Sequence, residues 1–156
     1  MVGGNCMNDG YIAVLNKISS VSPTPGGGAV AGLVLGHSYS LVSMVSRLTL
    51  KSNKWKEGHK VAKDLIEVSE QGIPYSMELA NNDCNAFDNV MNSYRLPKNN
   101  EDEILIRNRK IISSSLEATM APYEIAEKSL KLLLLLPEFG EIANENALTD
   151  LASAAQ

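Results

Sequence analysis

Asp83 stands in the stretch Asn81-Asn82-Asp83-Cys84-Asn85-Ala86-Phe87. Asp83, Phe87, Val90 and Tyr94 are spaced i, i+4, i+7 and i+11, which puts them on one face of a helix. A carboxyl group on a mostly apolar face is uncommon, because aspartate is rarely buried without a partner. Two readings stand. One is a general acid or base held in a cleft. The other is a solvated aspartate at the margin of an apolar stripe. Cys84 has no identifiable general-base partner and reads as buried filler.

A second group of residues lies upstream, where Ser22, Pro23, Thr24, Pro25, Gly26, Gly27 and Gly28 lead into an apolar run that carries no formal charge from Ala29 to Ser46. A glycine-rich turn before a helix presents bare backbone N–H groups, a site for an anion or a carbonyl oxygen. The Lys-Ser/Thr pair of a nucleotide loop is absent, and no strand precedes the turn. The simpler reading is a tight turn with close helix packing, since glycines more often serve close backbone approach. Gly28, Gly32, Gly36 and Ser40 recur every four residues, a smooth stripe against which another helix can pack.

A third group is Tyr94, Arg95, Leu96, Pro97 and Lys98. Arg95 and Lys98 could hold a carboxylate, or simply complement a helix C-terminus, the simpler account. His37 in the apolar run reads as a satisfied core histidine, and His59 among lysines as a surface one. No cluster of His, Cys and acids has metal-ligand spacing.

These residues need long helices to position them. The sequence predicts a short helix from about Tyr11 to Ser20, capped by Asn8 or Asp9, then the apolar helix ending near Leu50. A third helical region covers about Lys54 to Ser93, kinked or divided at Gly72 and Pro74. A fourth runs from Glu101 to about Leu136, bent at Pro122, and its Leu132–Leu136 end should be buried on several sides. Pro137 should break the chain, with a last helix from about Glu138 onward. No segment alternates at period two. The fold class expected is all-α, an up-and-down bundle of about five long helices in one domain over residues 1–156.

The composition is that of an ordinary globular chain: 156 residues, 44% hydrophobic and 21% charged. A formal charge of −4 supplies no basic footprint for nucleic acid. Ala29 to Ser46 approaches the length of a membrane span, but Gly32, Gly36, His37, Ser38, Ser40 and Ser43 interrupt it, which favours a buried helix over a bilayer one. Two cysteines, Cys6 and Cys84, make no disulfide framework, and the N-terminus has no signal-peptide pattern. The expected compartment is a reducing cytoplasm.

Taken in order, these segments resemble the cyclodeaminase/cyclohydrolase family of folate one-carbon enzymes, the fold of the C-terminal part of formiminotransferase-cyclodeaminase and of stand-alone methenyltetrahydrofolate cyclohydrolases. The matching stretches are Pro23-Thr-Pro-Gly-Gly-Gly28, Ser43-Met-Val45 to Leu48-Thr49, Asp83-x-x-Ala-Phe87, Tyr94-Arg-Leu-Pro-Lys98, Pro122 and Asn144-x-Asn146-x-x-x-Asp150. The resemblance implies a homodimer with a folate cleft near its interface, and a tetrahydrofolate derivative as substrate with no metal or redox cofactor. It implies one of two reactions: closure of 5-formiminotetrahydrofolate to 5,10-methenyltetrahydrofolate with loss of ammonia, or hydrolysis of methenyltetrahydrofolate to 10-formyltetrahydrofolate. It makes Asp83 the acid/base and Pro25, Gly26, Gly27 and Gly28 backbone contacts to the pterin or reacting centre. It makes Arg95, Lys98 and Lys51 holders of the anionic glutamate tail, with Tyr94 beside them. Asn144 and Asp150 would line the same cleft or support it. The chain departs from the family in having Ala29 after the glycines, Asn81 where another acid is usual, and an end at Gln156 where the family continues. A shortened domain lacking a C-terminal helix is expected from this, and a catalytically inactive folate-binding or structural dimer is the alternative.

Overall fold

The computed structural model describes residues 9–156; Cys6 and the cap expected at Asn8 lie outside them. Six helices follow one another: α1 (Asp9–Ile18), α2 (Gly27–Leu50), α3 (His59–Tyr94), α4 (Glu101–Glu117), α5 (Met120–Ile142) and α6 (Leu148–Ala154). Short 3-10 turns at Asn53–Gly58 and Glu145–Ala147 precede α3 and α6. No strand occurs among the described residues. The all-α bundle expected from the helical periodicity is therefore the fold.

The apolar helix α2 is central. Its Leu35, Tyr39, Val42 and Val45 are buried against Leu65 and Leu79 of α3, Leu132 and Phe139 of α5, and Leu151 of α6. It is long and apolar enough to cross a bilayer, and 44% of its most apolar window is buried inside the molecule. The antiparallel register of α2 and α3 follows from small residues. A Cβ at Gly32 would lie 3.0 Å from the Ala80 Cβ, and one at Gly36 would lie 2.7 Å from the Ser76 Oγ. The stripe thus faces α3 of the same chain, while Ser40 at its end is exposed and donates to the Gly36 carbonyl.

Several expectations are corrected. The α3 helix runs unbroken through Gly72 and Pro74. Pro74 is exposed, so the carbonyl left without its N–H donor faces water rather than the core. The fourth helical region is two helices, divided at Ala118 and Thr119. Pro122 lies in the first turn of α5, where a missing N–H goes unmissed, so it starts a helix rather than bending one. The helix continues through Pro137 to Ile142, because Leu136 and Phe139 on either side of it are buried in the core. The leucine run is buried only at Leu132 and Leu136; Leu133, Leu134 and Leu135 are exposed. The α1 helix begins at Asp9 and ends at Ile18, about two residues earlier than predicted.

The start of α4 was legible. Asn100 accepts from the Glu103 backbone N–H at 2.9 Å, and the Glu103 carboxylate accepts from the Asn99 N–H at 2.7 Å. Acids in the first turn (Glu101, Asp102, Glu103) suit the positive end of the helix dipole.

Candidate functional site

The breaker cluster folds as a turn that delivers the chain into α2. The Ser22 hydroxyl donates to the Thr24 carbonyl at 2.8 Å, and the Thr24–Pro25 peptide is cis. Gly26 is the N-cap of α2 without a side chain to cap it, so the first backbone N–H groups of the helix have no side-chain acceptor. The antiparallel register brings α3 across this end, and with it Asp83.

The contact between Gly28 and Asp83 defines the site. A Cβ at Gly28 would lie 2.1 Å from the Asp83 Oδ1, 2.5 Å from its Cγ and 2.7 Å from its Oδ2. The carboxylate occupies the space where a side chain would be. Asp83 is half-buried and makes no hydrogen bond or ion pair among the described residues. Its carboxylate faces a cleft of about 440 Å³. Pro23, Thr24 and the three glycines form one wall, Phe87 and Val90 on α3 the second, and Ser115 and Ala118 the third. A half-buried carboxylate in a cleft wall, without a protein partner, is placed to meet a bound molecule.

Cys84 is half-buried beside this aspartate. Burial, and then the Asp83 charge, push its thiol up, so it is a poor nucleophile. Both histidines differ from expectation. His37 is exposed, with its Nδ1 2.7 Å from the Leu33 carbonyl and the Tyr11 ring of α1 edge-on to it. His59 is half-buried and its Nε2 lies 3.1 Å from the Ser52 carbonyl, tying down the turn before α3.

The remaining sequence-predicted residues fall at different places. Gly26, Gly27, Gly28 and Asp83 share the cleft, whereas Pro25 is half-buried in the turn behind it. Tyr94 and Arg95 lie at the end of α3, roughly 17 Å along the helix from Asp83 at 1.5 Å per residue. Both are exposed, and Arg95 donates to the Asn92 Oδ1 at 3.0 Å. Lys98 is exposed in the following loop. Arg107 on α4 completes this basic end: its Nε and Nη2 donate to the Tyr94 carbonyl at 3.3 and 3.2 Å, and its guanidinium lies over the Tyr94 ring. Lys51 caps the other end of α2, about 35 Å from Gly28 by helix rise. Asn144 is buried near that far end, where its N–H donates to the Thr49 Oγ1 at 3.0 Å and its Oδ1 accepts from Asn146. Asp150 is half-buried on α6. Within one chain, Lys51, Asn144 and Asp150 do not line the Asp83 cleft.

Sequence reading missed Ser115, Ala118 and Arg107. An exposed serine and a half-buried alanine near a helix end carry no pattern, and the helix division that turns them toward the loop leaves no mark in the sequence. Among the described residues no group of three or more His, Cys, Asp or Glu is placed to hold a metal ion.

The family model that matches is formiminotransferase-cyclodeaminase, over residues 11–156. The chain is 32% identical over 148 residues to a methenyltetrahydrofolate cyclohydrolase of Methylorubrum extorquens, covering 94% of this chain and 71% of that one. It is 27% identical over 144 residues to the formimidoyltransferase-cyclodeaminase of Rattus norvegicus, covering 92% of this chain and 27% of that much longer one. Among solved structures, a formiminotetrahydrofolate cyclodeaminase from Thermotoga maritima superposes with a TM-score of 0.77 at 25% identity, covering 96% of this chain and 69% of the other.

Proposed function

The chain belongs to the formiminotransferase-cyclodeaminase family, and from that premise we propose that it is a folate one-carbon enzyme whose reacting centre is the Asp83–Gly28 cleft. The observation that carries this reading is the unpartnered Asp83 carboxylate lying against Gly28 at the start of α2. The reaction we favour is hydrolysis of 5,10-methenyltetrahydrofolate, supported by the similarity to the Methylorubrum extorquens cyclohydrolase over most of both chains.

In that reaction water attacks the carbon between N5 and N10. Asp83 takes a proton from the water as the C–O bond forms and returns it to N5 as the C–N5 bond breaks. The hydroxyl proton then leaves as the formyl carbonyl forms on N10, so one proton is released for each molecule hydrolysed. The N-terminal N–H groups of α2 would supply donors to the oxygen added at that carbon as it becomes the formyl carbonyl. The cleft is open, and Phe87 and Val90 offer an apolar wall to a pterin or aminobenzoyl ring. Arg95, Lys98 and Arg107 stand at the junction of α3 and α4 beyond that wall and would attract the glutamate carboxylates.

Formiminotetrahydrofolate cyclodeamination is the second reading, supported by the likeness to the Thermotoga maritima enzyme. There Asp83 would accept the N10 proton as N10 attacks the formimino carbon, and donate it to the departing ammonia. The two activities need the same group at the same tetrahedral carbon.

We further propose a cytoplasmic homodimer. Exposed apolar residues follow one another along α4 and α5, among them Ile112, Leu116, Met120, Tyr123, Leu130 and Leu134, more than a monomer commonly leaves in water.

Incubation with each folate, with absorbance for methenyl loss or gain and an ammonia assay, tests the proposal. Methenyl hydrolysis above the buffer rate supports the first reading, and ammonia release with methenyl formation the second. Folate binding without turnover of either would identify an inactive binding module instead.

A further inference from the structure

A second cleft lies between α3 and α5. It measures about 400 Å³ and shares no lining residue with the Asp83 cleft. Gly72 in its wall is eleven residues from Asp83 on α3, roughly 16 Å by helix rise. Its floor is apolar, formed by Val68, Leu132 and Leu135.

Its polar groups are two tyrosines, two lysines and Gln71. Tyr39 is only 5% exposed, and its ring is pressed on Gly72, where a Cβ would come within 2.6 Å of the ring. Its hydroxyl makes no hydrogen bond to another described residue; it is not among the fully buried oxygens that lack a partner, so it keeps contact with solvent in the wall of the cleft. Burial pushes the Tyr39 hydroxyl up and the Lys131 charge draws it back down, so the phenol is a protonated donor within the field of that ammonium. Tyr75 is engaged, donating to Glu124 with Lys128 over its ring at 5.2 Å. Lys131 pairs with Glu127 at 2.7 Å, with both side chains largely in solvent, and a pair of that kind is weak enough to be shared.

An O–H donor open to the cleft and a cation above an apolar floor select a ligand with one anionic group and an apolar body. Glu124 and Glu127 bond to residues of this same cleft, and their charges disfavour a dianion. We propose that this cleft binds a small organic carboxylate. The carboxylate accepts from the Tyr39 hydroxyl and pairs with Lys131, and the body lies on Val68, Leu132 and Leu135. The volume is toward the small end for ligand sites and suits a single ring or a short acyl chain. This proposal does not depend on what the Asp83 cleft does.

Calorimetric titration of the whole chain with benzoate tests it, with inorganic phosphate as competitor. Saturable benzoate binding with Kd on the order of 1 mM is expected. Tyr39→Phe keeps the ring on Gly72 and should weaken it about fivefold. Lys131→Met, at an exposed position that leaves folding intact, should weaken it about tenfold. Phosphate should not displace benzoate, and Asp83→Asn should bind it as the parent does. No saturable binding by the folded protein, binding indifferent to both substitutions, or displacement by phosphate would each overturn the proposal.

Discussion

At Gly28 the missing side chain is what leaves room for the Asp83 carboxylate. Gly28→Ala should therefore push the carboxylate out of place and lower turnover about a hundredfold, the cost of a displaced acid/base, in a steady-state assay. At Gly27 nothing lies within 4 Å of an added Cβ, so Gly27→Ala should melt no earlier than the parent in a thermal scan. Tyr75 offers a residue-scale test in pH. Its hydrogen bond to Glu124, followed by burial and the acids around it, pushes its hydroxyl up to about 12. A tyrosine raised in the folded state contributes stability that is complete below its unfolded value near 10 and is lost as pH rises toward 12. Denaturant titrations between those pH values should show that loss in the parent, and a smaller one in Tyr75→Phe. Asp83 was legible because an acid broke an apolar stripe at helical spacing. Ser115 was not, because an exposed serine breaks no pattern and its place in the cleft depends on where α4 ends.

At the scale of elements, helix existence was readable and helix division was not. Periodicity placed α2, α3 and the α4 start within a few residues. Proline effects were misjudged because they depend on position: Pro122 sits in a first turn, while Pro74 and Pro137 are exposed with flanking buried residues holding the helix. Close packing of α2 on α3 was legible in the glycine stripe, but not which chain it would face. Gly72 extends that contact. Gly72→Ala should cost about 1–3 kcal/mol in a denaturant titration, because the Tyr39 ring has nowhere to move without disturbing the core.

The whole molecule has a centre and an incomplete exterior. Helix α2 threads the core and carries the glycine turn at one end and Lys51 at the other. The exposed apolar stripe of α4 and α5 was hidden in the sequence, because a leucine run apolar all round reads as buried on every side. If that stripe joins two copies, light scattering should give the mass of two chains. Leu134→Glu should then shift the protein toward one chain with little loss of helix, since Leu134 is 70% exposed. The proposed function rests on the family the chain belongs to, because composition alone points to no substrate.

The most direct test of the Asp83 centre is single-turnover hydrolysis of methenyltetrahydrofolate by Asp83→Asn beside the parent, with folate Kd measured on both. Loss of an acid/base at the reacting carbon should slow the chemical step by about 10²–10⁴-fold while Kd changes only a few-fold. A variant that hydrolyses the substrate at the parent rate would contradict the account.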